Sequence, residues 1–222
     1  MGEDMRLTAT DGFVCDAYVA RPVGVPKGGI VVVQEIFGVN AHIRSVADRY
    51  AAEGYLAVAP ALFDRAEPGF QSGYQPEDMP RAYAMIAKVA SGPALLDIAA
   101  AIDFAAEAGK VGVVGFCWGG TLAWSAAAEL PGLSAAVGYY GGGVLGLTEL
   151  QPNCPTMLHF GAKDGHIPVD KVREFAASRP ELPLYIYDAD HGFNCDARGS
   201  YDATSAKLAQ ERTSAHFAKY LA

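Results

Sequence analysis

A chain of 222 residues, half of them apolar, carries enough hydrophobic material for one sizeable core, so neither disulfides nor a structural metal is needed to hold it together. Its 17 basic residues stand against 25 acidic ones, a net charge of -8, and no Lys/Arg run is present to neutralise a row of phosphates, which argues against a nucleic-acid partner. With no apolar run of about 18 residues and no basic-then-apolar leader, the expectation is a soluble cytoplasmic protein that does not engage membranes, monomeric or weakly homo-oligomeric.

In chain order, Arg6 to Thr8 and Phe13 to Ala20 flank Asp11-Gly12 and predict an antiparallel hairpin. Gly29 to Gln34 then begins a series of short, β-branched or aromatic runs typical of buried strands, continued by Tyr55 to Ala59, Val111 to Phe116, Leu133 to Tyr140, Thr156 to Phe160 and Leu184 to Tyr187. Helical periodicity falls between them, at Ala41 to Glu53, Met79 to Ala108, Gly119 to Glu129, Val169 to Ser178 and Tyr201 to Leu221. One stretch, Ala66 to Pro80, is dense in Gly, Pro, Gln and charge; it is expected to be a long loop over the active site. Repeated β-α units after an antiparallel entry imply a single α/β domain over 1–222, with a mostly parallel sheet and helices on both faces.

Open parallel sheets gather reactive groups at the carboxyl ends of their strands. At one such end, Gly115-Phe116-Cys117-Trp118-Gly119 fits the pattern Gly-x-nucleophile-x-Gly between a buried strand and an Ala-rich helix. The small residues two before and two after let the chain turn sharply, and the corner sulfur then sits at a helix N-terminus, where dipole and free amides favour a thiolate. The four cysteines (15, 117, 154 and 195) are too widely spaced for a zinc motif, so no metal or other cofactor is expected. A dinucleotide-binding turn would need Gly-x-Gly, which Gly115-Phe116-Cys117 lacks.

A thiol nucleophile needs a base. His191 follows the last strand run and precedes the last helix, while His42 and His216 fall within helices, His159 within a strand, and His166 too close to the candidate acid to be oriented by it. Asp164, just beyond the Thr156 to Phe160 strand, is the first choice to steady His191; Asp170, Asp188 and Asp190 compete. Backbone amides of Trp118 and Ile36 are placed to stabilise a tetrahedral oxyanion. Glu35, beside them, is either a solvated surface acid or a charge that keeps the thiol protonated until substrate arrives, shielding it from oxidation.

These motifs, with Gln34-Glu35-Ile36-Phe37-Gly38, Gly138-Tyr139-Tyr140-Gly141 and His191-Gly192-Phe193, make the whole chain resemble the dienelactone hydrolase (carboxymethylenebutenolidase) family of the α/β-hydrolase superfamily. The resemblance implies a Cys117-His191-Asp164 triad, a thiol controlled by Glu35, and a small-molecule ester or lactone as substrate. The family's reference reaction opens a carboxylate-bearing unsaturated lactone to maleylacetate, the carboxylate gripped by two arginines. Arg65 matches the first of these. The second would stand at Cys195, so Arg198, three residues further on, is the remaining candidate, and Tyr139 joins it as an expected substrate contact. That departure puts the substrate range in doubt. A broad small-ester or aryl-ester hydrolase would use the same triad, and a thiol-based redox sensor or binding protein is the alternative of another class.

Overall fold

The computed structural model describes residues 2–222. Eight strands form one sheet in the order β1-β2-β4-β3-β5-β6-β7-β8. The first two, β1 (Glu3–Thr8) and β2 (Val14–Ala20), make the expected hairpin, and β2 pairs antiparallel with β4 (Leu56–Pro60). Only β2 therefore runs against the remainder, because two successive reversals return β1 to the common direction. From β4 through β3 (Gly29–Val33), β5 (Val111–Phe116), β6 (Leu133–Tyr139), β7 (Thr156–Gly161) and β8 (Leu184–Tyr187), every pairing is parallel.

Period-two alternation divides each central strand between two cores. Ile30 and Val32 of β3, with Val114 and Phe116 of β5, face a cluster that includes Ile43, Val46 and Tyr50 of α1 (Ala41–Ala52) and Phe217 of α6 (Ala203–Leu221). Val31, Val33, Val111 and Val113 face the other way, onto Ile98 and Ile102 of α3 (Ser91–Ala105) and Leu122 and Ala126 of α4 (Trp118–Glu129). Both faces are thus covered, which is why these strands read as continuous apolar runs; each fully buried aliphatic side chain is worth about 1.5–3 kcal/mol. The fifth helix, α5 (Val169–Ser178), packs its Phe175 against Trp124.

One helix expectation is corrected. Met79 to Ala108 is not continuous: α2 (Met79–Ile86) ends, Ala90 is extended, and α3 starts at Ser91, with the two axes bent by 89°. Pro93 explains the break, since it has no N–H to offer a preceding carbonyl and its ring would strike an uninterrupted helix. Among the described residues no single helix is long and apolar enough to cross a membrane.

The loop before α2 is pinned down rather than free. Gly38, at a φ of 77°, bridges to Gln71; Ser72 N–H donates to the Phe37 carbonyl at 3.0 Å; and the Asn40 amide donates to the Ser72 carbonyl at 3.1 Å. Asn40 also caps α1, its side-chain oxygen accepting from Ile43 N–H at 3.2 Å. One residue therefore fixes both the first helix and the loop that closes over the carboxyl edge of the sheet.

Candidate active site

At the end of β5 the chain turns directly into α4, and Cys117 occupies the corner with φ 55° and ψ -118°. A non-glycine residue adopts this region only when its surroundings enforce it. Here the enforcement is close packing: a Cβ on Gly115 would strike the Gly119 carbonyl, and one on Gly119 would strike the carbonyls of Val33 and Gln34. Cys117 N–H donates to the Tyr139 carbonyl at 3.0 Å, and its own carbonyl accepts from Gly120 N–H at 2.9 Å. The side chain is half-buried and lines a cavity that also holds His191, Trp118, Ile36, Tyr140 and Arg198.

His191 comes from the loop after β8. Its Nδ1 lies 2.7 Å from Asp164 Oδ2, while Asp164 Oδ1 accepts from the amides of His166 at 2.8 Å and Ile167 at 3.1 Å. Burial alone would raise the Asp164 pKa, but the His191 contact and the two amides outweigh it and hold the carboxyl below its usual range. For His191, burial pushes the other way; the hydrogen bond to Asp164, and then the negative charge that Cys117 carries when ionised, overcome it and raise the imidazole to about 10. The competing acids are engaged elsewhere: Asp170 with Arg173 at 2.9 Å, Asp188 with Lys163 at 2.9 Å, and Asp190 with the His191 amide at 2.6 Å.

Among the described residues neither the Ile36 nor the Trp118 amide finds an acceptor, and both residues line the cavity. Two unpaired N–H groups at a thiol's side are what a developing oxyanion requires.

Glu35 is not a surface acid: it is fully buried. Its Oε2 accepts from the Tyr74 hydroxyl at 2.9 Å and its Oε1 from Arg198 Nη1 at 3.3 Å. Burial, then the Glu35 charge, drives the Tyr74 hydroxyl far above the ordinary tyrosine range, so it stays a donor. Cys195, raised to about 11 by burial and by Glu35, stays a thiol at neutral pH. Donor atoms of Glu35, His42 and Cys195 lie within 4.8 Å of one another, yet the carboxylate is already satisfied by a guanidinium and a phenol.

Two expected substrate contacts are corrected. Arg65 does not line the cavity; it binds the fully buried Asp97 through Nε at 2.7 Å and Nη2 at 2.8 Å, reaches Asp11 at 2.8 Å, and stacks over Phe13. A pair of carboxylates holds it on the far side of the 3-10 turn Leu62–Arg65 that carries it. Tyr139 is wholly buried, its hydroxyl 2.7 Å from Thr213 Oγ1 and its ring against His159, because strand alternation turns it into the core. The next residue, Tyr140, at a φ of 39°, lines the site in its place, its ring 5.1 Å from that of His191.

His166, set aside on spacing, lines the cavity with its ring 5.5 Å from His191. Tyr74 and Met79 fall in the loop expected over the site, but no local pattern singles them out from its other residues, nor does one bring Tyr83 and Ile86 of α2 to it. The remaining histidines are engaged away from Cys117: His159 bonds Tyr187 and Thr213, His216 the Pro155 carbonyl, and His42 Asp196.

Residues 15–221 match the dienelactone hydrolase family. A putative carboxymethylenebutenolidase of Synechocystis is 36% identical over 216 residues, 88% of this chain and 87% of that protein. The carboxymethylenebutenolidase of Pseudomonas putida is 34% identical over 223 residues, 95% and 93% of the two chains. Among solved structures, a putative dienelactone hydrolase from Klebsiella pneumoniae superposes with a TM-score of 0.84 at 35% identity, covering 99% of this chain and 100% of the other. An esterase of Pyrococcus furiosus, 16% identical with a TM-score of 0.74 over 100% of this chain and 94% of its own, shares the fold.

Proposed function

Because the chain belongs to the dienelactone hydrolase family and so is an α/β-hydrolase-fold ester hydrolase, we propose that it cleaves an ester or lactone through Cys117 as nucleophile. The observation that carries this reading is the Asp164–His191 contact of 2.7 Å beside a thiol held at a strained strand-helix corner. His191 takes the thiol proton, and Asp164 fixes the ring tautomer and stabilises the imidazolium that results. The thiolate attacks the carbonyl carbon, and the amides of Ile36 and Trp118 hold the oxyanion of the tetrahedral intermediate.

Collapse of that intermediate breaks the bond to the leaving oxygen, which receives the proton from His191, leaving an acyl group on sulfur. Water, deprotonated by His191, then attacks the thiolester carbonyl; collapse breaks the C–S bond and releases the acid, and the proton on His191 returns to the sulfur. Glu35, held between Tyr74 and Arg198, places a matched charge pair next to the reaction centre. A redox sensor would have use for an accessible thiol, but none for an ordered acid, base and pair of free amides.

The test is burst kinetics with 4-nitrophenyl acetate. The wild type should release one equivalent of nitrophenol quickly, and Cys117→Ala and His191→Ala should each lose turnover by about 10³-fold or more. Full turnover in both variants would end the proposal.

A further inference from the structure

The Cys117 cavity has no positive charge to spare, and we infer that the substrates are uncharged esters or lactones with an apolar side group, not carboxylate-bearing ones. This rests on the thiol-hydrolase reading above and specifies its substrate class.

Among the described residues the cations at or near the cavity are each matched to a carboxylate. His191 is paired with Asp164. Arg198 is paired with Glu35, which is fully buried; an incoming carboxylate that drew Arg198 away would leave Glu35 charged and uncompensated in the interior. Arg65 is doubly held by Asp97 and Asp11 and its guanidinium lies over Phe13, outside the cavity altogether.

The wall facing the thiol is apolar instead. The break at Ala90 leaves α2 beside the site, where Met79, Tyr83 and Ile86 join Phe37, Trp118 and Ile167 in its apolar lining; besides the catalytic groups and Arg198, its polar side chains are Ser91, Thr121 and His166. Trp118 is itself fixed by stacking on Phe63, centroids 5.2 Å apart. The cavity measures about 370 Å³, the scale of a small organic group. A carboxylate placed there loses hydration and meets no uncommitted guanidinium or ammonium, only hydroxyls and an imidazole, whereas an alkyl or aryl group loses nothing and buries its surface.

The experiment compares 4-nitrophenyl hexanoate with the 4-nitrophenyl monoester of adipic acid, which share leaving group and length but end in a methyl or a carboxylate. The wild type should favour the hexanoate by about 30-fold or more in kcat/KM. Tyr83→Arg, which adds an unpaired guanidinium to the exposed α2 wall, should narrow that ratio by about 5-fold or more. Equal or better use of the adipate ester, still dependent on Cys117, overturns the substrate class and leaves the thiol hydrolase standing. Turnover of either ester that persists in Cys117→Ala overturns the thiol reading and this inference with it.

Discussion

Arg65 distinguishes two accounts of the site, and the substitution Arg65→Met tests them. As a substrate anchor its loss would raise KM and leave stability alone; as the partner of a buried carboxylate its loss must destabilise the fold. Asp97 is fully buried and receives two hydrogen bonds from Arg65, so removing the guanidinium strands a charge, at a cost of about 3–5 kcal/mol. Asp11 is more than a third exposed, so solvent screens its contact with Arg65 and the buried Asp97 dominates. With a urea dependence of about 2–3 kcal/mol per M for a chain of this size, the unfolding midpoint should fall by about 1–2 M. Burial raises the Asp97 pKa even in the wild type, and loss of Arg65 raises it further. The variant's penalty should therefore shrink as the pH is lowered from 8 to 5 and Asp97 becomes able to take up a proton. Urea unfolding at both pH values measures this, alongside kcat/KM for a neutral ester. A midpoint within about 0.2 M of wild type, together with a raised KM, would refute the buried-pair account.

Asp164→Asn should lower kcat by about 10³–10⁴-fold with little change in KM, because an amide no longer stabilises the imidazolium. The same pair has a stability signature. His191, raised to about 10, contributes stability that is complete below 6.5 and is lost as the pH climbs through about 10, whereas Asp164, lowered from 3.8, contributes stability that is complete above that value and is lost as the pH falls through its folded pKa. Melting temperature against pH should accordingly peak between these limits and flatten in Asp164→Asn; parallel curves would argue against the coupling. Glu35→Gln leaves Arg198 unpaired near Cys117, favours the thiolate, and should speed peroxide inactivation of the free enzyme by about 3–10-fold, read as residual activity over time. An unchanged rate would show that Glu35 does not shield the sulfur.

The fold was legible because its causes are local. Apolar runs four to eight residues long, broken by Gly and Pro and alternating with helical periodicity, dictate a parallel sheet covered on both faces, and the glycines around Cys117 dictate a corner that no larger residue permits. Chain order then supplied acid before histidine, so Cys117, Asp164 and His191 could be named from the sequence; in the structure Cys117 and His191 line one cavity and Asp164 lies against His191. What the sequence could not decide was partnership across long separations. Arg65 matches a substrate-gripping position in its neighbourhood, but an aspartate 32 residues later claims it. Tyr139 and Tyr140 are adjacent letters, and only the twist at the end of β6 determines which faces the core and which the site. Tyr74 meets Glu35, and Arg198 meets it from 163 residues away, because loop closure and burial choose partners by place rather than by spacing. Sequence set the strand-helix corner at Cys117 through short-range backbone geometry; the charge balance around it was decided by which side chains tertiary packing brought together.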